Sequence, residues 1–564
     1  MKFPRFLLAG LALALGVSAR AASTAELARG EVFAVVELTF AGPAQTAQDS
    51  PASAIEFTAR IRHESGAPEY VIPGYWDGDG RGGATGDVFK IRFCPTQPGR
   101  WTIVEVRSNA PALAQQHVGA TIVATASKQK GFWLVDEDSP GRRWYRRSNG
   151  AHDYIIGNTM YSFLSEMYYG EKPNGSDVAR DVRGNAAYFK KIRFSVPGDL
   201  YPHPTVAPFL DDAGQPTYNG DYSHRPNPRW FRDRVDVAVR TAHESDLIAD
   251  LIMCGVDREN SRAALRAAKN GGDPTPYFRY LVARYGAFPN VWFCLINEYD
   301  IRTPKYVGPQ IRDFGIKMRS LLVYPNPLSV HRNAGHWPAD LDSQPAWNDH
   351  LIIQKKLKTI PAAADFLRED HASPSGGRPV INDELAYEGA GDRYTEEDVV
   401  ESHLGAFLGG AYGSTGFKSS TGRPGAPLPA NVSVGADGLK PGEKLGQYFA
   451  GNFDAAEHTS ADNLNFLRAT IDAKITFWKM APDESLFENL YADFRGLAWP
   501  GHEYVLGTNK ARESLVAELP PGQWSVTRYD VMAKSATVLS MAATGRFTFA
   551  APDSRAVLFH FKLR

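Results

Sequence analysis

From about residue 150 the chain alternates short apolar runs with helical patterns, and this alternation constrains the fold more than any other feature. Eight runs read as buried strands, at residues 154–159, 191–196, 247–254, 291–297, 328–331, 351–354, 379–382 and 410–413. Between several of them apolar residues recur at helical spacing, as in Phe231, Val235, Ala238 and Ala242, or Tyr277, Tyr280, Leu281 and Tyr285. Thr395 reads as the N-cap of another helix, with Val399, Val400, His403, Leu404 and Phe407 behind it. Leu464, Leu467, Ile471, Ile475 and Trp478 mark a closing helix. Eight strands with crossover helices predict one TIM (β/α)8 barrel, whose chemistry belongs at the C-terminal strand ends. Two loops on that side are long, 197–226 with Tyr201, His203 and Tyr222, and the Gly- and Pro-rich 418–460. Both are expected to form a lid or cleft wall.

The flanks have a different period. Short alternating runs at 32–40, 55–61, 88–93 and 101–106 predict an N-terminal β-sandwich, and runs at 504–507, 514–518, 524–529, 547–549 and 557–561 a small C-terminal β-sandwich. The expected fold is therefore multidomain: N-terminal β-sandwich over 22–128, barrel over 129–487, and C-terminal β-sandwich over 488–564, packed against the barrel. Residues 1–21 read as a signal peptide. Lys2 and Arg5 precede an apolar run from Phe6 to Val17, too short for a ~30 Å hydrocarbon core, and Ala19-Arg20-Ala21 follows. No Cys follows the run, so a periplasmic or extracellular protein without a lipid anchor or membrane span is expected.

Composition narrows the partners. Lys+Arg 62 against Asp+Glu 63 leaves no basic excess for a phosphate backbone, which argues against nucleic acid and suits a neutral carbohydrate. Three cysteines, Cys94, Cys254 and Cys294, do not make a disulfide scaffold, and the last two read as buried thiols. The segment from Gly74 to Gly83 contains a GxGxxG, but it precedes no helix and reads as a tight turn. Asp77 and Asp79 begin like a calcium loop, yet Arg81 and Val88 stand where ligands belong. There is no HExxH, no paired Cys/His spacing and no GxSxG, so neither a metal nor a cofactor is expected, and a nucleophile-elbow esterase is disfavoured.

Two strand ends carry the chemistry. The run Val291-Trp292-Phe293-Cys294-Leu295-Ile296 breaks into Asn297-Glu298, and Pro379-Val380-Ile381 breaks into Asn382-Asp383-Glu384, with Tyr387 and Glu388 beyond. Two carboxylates at one barrel mouth are what glycosidic cleavage requires, one protonating the leaving oxygen while the other attacks or activates water. Asp383 and Glu388 compete with Glu384 for the second role, and Glu298 could be a helix-start carboxylate. His203, His331 and His336 lie near strand ends and are candidate substrate contacts; Trp337 and Trp347 could stack on sugars or fill core.

Asn297-Glu298 after strand four and Glu384 after strand seven resemble the acid/base and nucleophile positions of the retaining TIM-barrel glycoside hydrolases of clan A. The order of pieces is also similar to bacterial proteins with an N-terminal β-sandwich of unassigned function, an apiosidase-like barrel and a C-terminal β-sandwich. Here the first piece carries Gly74-Tyr75-Trp76-Asp77-Gly78 and the run from Phe93-Cys94-Pro95 to Gly99-Arg100-Trp101. The resemblance implies Glu298 as general acid/base, Glu384 as nucleophile and Asn297 as a donor to the sugar hydroxyl beside the reacting carbon. On that scheme Glu298 needs a raised pKa and Glu384 must stay ionised. The chain departs from the clan where Gln354 replaces a Tyr at the end of strand six, and where Tyr412 and Lys418 stand near a missing Trp at strand eight. The expected activity is exported, retaining hydrolysis of a poly- or oligosaccharide; a non-catalytic carbohydrate-binding barrel and an inverting hydrolase or lyase are the alternatives.

Overall fold

In the computed structural model, residues 25–161, 164, 175–198, 206–256, 259–343, 346–389, 394–418, 458–488 and 490–564 are described. Residues 1–21, with the expected leader, lie outside them, as do 199–205 and 419–457 of the two long loops.

All eight expected strands form, and they make one parallel sheet. In chain order they are Ile156–Thr159, Lys191–Ser195, Ile248–Ile252, Val291–Cys294, Leu328–Ser329, Leu351–Ile353, Val380–Gly389 and Tyr412–Lys418. Strand eight returns to strand one, with Ile156 opposite Gly413, and the seam between strands five and six is bridged in parallel by His331 and Ile352. The result is a nearly closed TIM barrel. Strands seven and eight run past their expected ends, to Gly389 and Lys418.

The helices follow their local chemistry. Thr395 caps Glu396–Leu408 as expected, its hydroxyl accepting from Asp398 N while the Asp398 carboxylate accepts from Thr395 N. Asp236–Glu244 follows a π-helical turn, Phe231–Val235, and Thr275–Tyr285 precedes strand four. The closing helix stops at Lys474, so Trp478 sits beyond it in the 3-10 turn Phe477–Lys479, stacked on His152.

Both flanks are paired sheets. The N-terminal one stacks five strands, Glu26–Glu31, Thr121–Thr125, Gly99–Ser108, Phe57–His63 and Glu69–Pro73, with three, Val36–Thr46, Thr85–Phe93 and Tyr75–Trp76, over a core that includes Phe40, Phe57, Phe89 and Trp101. Its Gly-rich segment is a tight turn whose Asp79 carboxylate accepts from the backbone of Arg81 and Gly83. Gly78 has φ +60°, and a Cβ there would lie 1.8 Å from the Gly83 carbonyl oxygen. The C-terminal flank is a six-stranded and a three-stranded sheet. It packs on the barrel helices Ile360–Ala372 and Glu396–Leu408 through Arg368 to Glu484 (2.6 Å) and Asn509 to Glu401 (2.7 Å).

The N-terminal sandwich is fixed to the barrel by charge. Asp236 accepts two hydrogen bonds from Arg92 of the sandwich (3.1 and 2.6 Å) and two from Arg284 of the barrel (2.9 Å each). Arg284 also reaches Asp77 (2.8 Å), and Arg92 reaches Glu37 (2.9 Å). Burial alone would raise the Asp236 carboxyl, but the two guanidinium groups hold it far below the usual range. Asp236→Asn leaves two buried cations without their shared anion and is expected to cost about 3–5 kcal/mol, read as a lower urea midpoint. A loss under about 1 kcal/mol would show that the junction does not depend on this charge.

Candidate active site

Glu298 stands two residues past the apolar end of strand four, where the backbone turns sharply. Its φ is +44°, a left-handed conformation that costs a non-glycine residue about 1–2 kcal/mol. Arg262, buried in the segment after strand three, holds that turn by donating to the carbonyls of Asn297 (2.7 Å), Glu298 (3.1 Å) and Val256 (2.7 Å). The Glu298 carboxylate is almost buried, and the half-exposed Arg302 lies 3.8 Å from it.

Glu384 faces the same space from strand seven. One carboxylate oxygen accepts from the Tyr161 hydroxyl and the other from Gln354 Nε2 at 2.7 Å. Burial, and then the charge of Glu298, push its carboxyl up to about 8, against the opposing pull of Tyr161, Arg193 and Lys356. The Glu384 carboxyl is thus raised, whereas the resemblance implies that it stays ionised. Two carboxylates in one poorly hydrated mouth cannot both ionise freely, so the pair retains a shared proton at neutral pH.

Asn297 lies between them in the network. Its side-chain oxygen is met by Arg193 Nη2 (3.1 Å), the Tyr161 hydroxyl (3.1 Å) and His331 Nδ1. That fixes the amide so that Nδ2 is buried and, among the described residues, unpartnered; His331 Nε2 and Gln354 Oε1 are in the same state. Burial and Arg193 hold His331 far below its usual pKa, so it is neutral. Tyr387 lies beneath Lys356, whose ammonium is 4.8 Å from the ring centre.

The competing acids are otherwise engaged. Asp383 is fully buried inside the barrel with Lys191 and the Ser414 hydroxyl (2.6 Å); burial opposes its charge, but Lys191 and Arg193 hold it well below the usual range. Glu388 pairs with His458 (2.5 Å) and accepts from Ser460 N (2.8 Å).

Several expected contacts fall elsewhere. Tyr412 begins strand eight instead of ending it, because that strand continues to Lys418. Its ring therefore packs at the opposite end of the barrel against Trp144, Tyr145 and Tyr154. Trp347 is core, its indole bonded to the Leu341 carbonyl and its ring against Gly315. Trp337 is buried in the barrel core, and His336 stacks on Phe366 and contacts Asp370. His203 lies outside the described residues. Cys94, Cys254 and Cys294 are free and buried. Tyr161, Arg193 and Arg262 were not anticipated. Only Arg193 left a trace, as part of the alternating Lys191, Arg193 and Ser195 in an otherwise apolar strand. Among the described residues no acidic, His or Cys cluster is placed to hold a metal, and no helix is long and apolar enough to cross a membrane.

Residues 205–416 match the family model for an apiosidase-like catalytic domain, and residues 29–107 a domain of unknown function, DUF5060. A crystal structure from Bacteroides vulgatus ATCC 8482, provisionally assigned as a glycoside hydrolase, is 18% identical with a TM-score of 0.67, over 95% of this chain and 100% of that one. A glycoside hydrolase family 5 protein from the same organism is 13% identical with a TM-score of 0.56, over 77% of this chain and 94% of its own. At these identities the likeness is one of fold. No curated protein sequence matches the chain.

The Glu384 carboxyl makes stability depend on pH. Between its ordinary value of 4.5 and about 8 the folded chain keeps a proton that the unfolded chain releases, so stability falls as pH rises through that window and levels off above it. Glu384→Gln removes this cost. Its stability relative to the wild type is expected to rise by on the order of 1 kcal/mol per pH unit across the window, measured by chemical unfolding at several pH values. A pH-independent difference would contradict the raised carboxyl.

Proposed function

Because the chain carries an apiosidase-like catalytic domain, we propose that it is a retaining glycoside hydrolase in which Glu298 is the general acid/base and Glu384 the nucleophile. The observation that supports this best is the two-point grip on Glu384. Tyr161 and Gln354 each bond one carboxylate oxygen, which orients the group, and the Tyr161 hydrogen bond favours it as an anion. A carboxyl that served only to fill the barrel would not need a mouth-facing position coupled to a second glutamate.

With substrate in place the shared proton belongs on Glu298, which delivers it to the glycosidic oxygen while Glu384 attacks the anomeric carbon. In the second half-reaction Glu298, now a carboxylate, takes a proton from water, which displaces Glu384 from the glycosyl-enzyme. The Asn297 amide, fixed by Arg193 and His331, has its Nδ2 available to a hydroxyl of the bound sugar. The ligand is a poly- or oligosaccharide, and the step needs no cofactor.

Turnover should fall by about 10²–10⁴-fold in Glu298→Gln and at least as far in Glu384→Gln, with glycan binding retained. Proton NMR of the first product formed should show the anomer of the substrate. The inverted anomer would replace this mechanism with a single displacement, and a wild type that binds glycans but cleaves none would leave a binding protein on a barrel scaffold.

The pH profile provides a separate check. For the free enzyme kcat/KM should fall above about pH 8, where the pair loses its last proton. Tyr161→Phe removes a hydrogen bond that favours the Glu384 anion, so the basic limb should move to higher pH. A limb that stays in place would mean that Tyr161 does not bear on the titration of the pair.

A further inference from the structure

Asp383 and Glu384 are consecutive, yet both side chains reach the inside of the barrel, which a regular strand does not allow because neighbouring side chains point to opposite faces. The irregularity is visible in the pairing. Asn382 lies opposite Gly413 and Ala386 opposite Thr415, so Asp383, Glu384 and Leu385 together face the single Ser414. A bulge of this kind re-aims side chains but gives up its ladder hydrogen bonds, and it persists only if something else holds it.

The holding contacts converge on Asp383. Its carbonyl oxygen accepts from the Thr159 hydroxyl at 2.9 Å, and the Tyr387 hydroxyl lies 3.5 Å from the same atom. Its carboxylate accepts from the Ser414 hydroxyl at 2.6 Å and from the Lys191 ammonium, which comes across from strand two. Lys191 also meets Asp250 of strand three at 3.2 Å, and Arg193 lies 3.6 Å from Asp383 and 3.7 Å from Asp250. Lys191, Arg193 and Asp383 expose none of their surface. None of this is needed to close a barrel, and buried ion pairs add little to stability compared with apolar packing.

Building on the reading of Glu384 as nucleophile, we propose that Lys191 and Asp383 are positioning residues for it. Their buried ion pair holds the strand-seven bulge in the conformation that delivers the Glu384 carboxylate to Tyr161 and Gln354. Asp383 touches neither substrate nor reacting atoms; it acts through the backbone it anchors.

The test uses the full chain and an aryl glycoside or glycan that a panel assay shows the wild type to cleave. Asp383→Asn keeps the shape of the side chain and removes its charge. Its kcat should drop about 10²-fold with KM little changed, the scale expected when a reacting group is displaced by about 1 Å. Its crystal structure should show Glu384 released from Tyr161 or Gln354. Because a buried, half-paired Lys191 could also unfold the chain, the double variant Lys191→Met/Asp383→Asn removes both charges. It should regain the wild-type urea midpoint while kcat stays low. Recovery of kcat together with stability, or an Asp383→Asn enzyme with wild-type kcat and an unmoved Glu384, would overturn the proposal. Glu384→Gln is assayed in parallel. If Asp383→Asn displaces Glu384 while Glu384→Gln remains active or the wild type cleaves nothing in the panel, the placement of Glu384 by Lys191 and Asp383 stands and the nucleophile reading falls.

Discussion

Arg193 is the side chain on which the arrangement of the mouth depends. Fully buried in strand two, it donates to the Asn297 side chain and the Tyr161 hydroxyl, approaches His331, and lies close to Asp250 and Asp383 below. A guanidinium presents five donors in a rigid plane, so it can hold several acceptors in fixed relation where an ammonium could not. Its charge is tolerable only because two carboxylates sit beneath it, and their presence in turn requires Lys191. The floor of the site is therefore one electrostatic unit, assembled from strands two, three, seven and eight. Tyr161 and Asn297 join it from above.

The same rule governs the chain at larger scale. Asp236 lies between Arg92 and Arg284 much as Asp383 lies between Lys191 and Arg193, and in both places a buried carboxylate shared by two cations joins separate elements. At the sandwich the elements are two domains, and in the barrel they are opposite strands. Burial penalises each charge, so neither junction tolerates a missing member. Such contacts have one acceptable geometry, whereas apolar packing has many.

The barrel was legible in the sequence because strands buried on both faces and helices with one apolar face differ in period. All eight strands formed, and Asn297, Glu298 and Glu384 stood out as polar residues that interrupt apolar runs. The interior charges were not legible in the same way. Lys191, Arg193 and Asp250 sit within strands whose apolar neighbours dominate the pattern, and nothing local shows that the three converge with Asp383 across the axis. Tyr161 is one aromatic among many, and its place beside Glu384 appears only once strand one is set next to strand eight, with strand seven beyond it. Tyr412 was misplaced because the apolar signal of strand eight ends at Gly413, while its backbone pairing continues through Ser414, Thr415 and Gly416. Hydrophobic pattern marks where a strand is buried, and hydrogen bonding decides where it stops.

The bulge in strand seven also separates two registers. Val380, Ile381 and Asn382 are aligned with strand six, whereas Ala386 to Gly389 are aligned only with Thr415 to Lys418 of strand eight, as a ribbon continuing past the pairing with strand six. Length added to or removed from that ribbon is taken up beyond the bulge and is not transmitted to Glu384. In an evolving lineage the wall formed by the ends of strands seven and eight can thus be recut while the Glu384 carboxylate keeps its place. The shape of such a mouth can drift by changes in one rim segment, without rebuilding the charged floor beneath it.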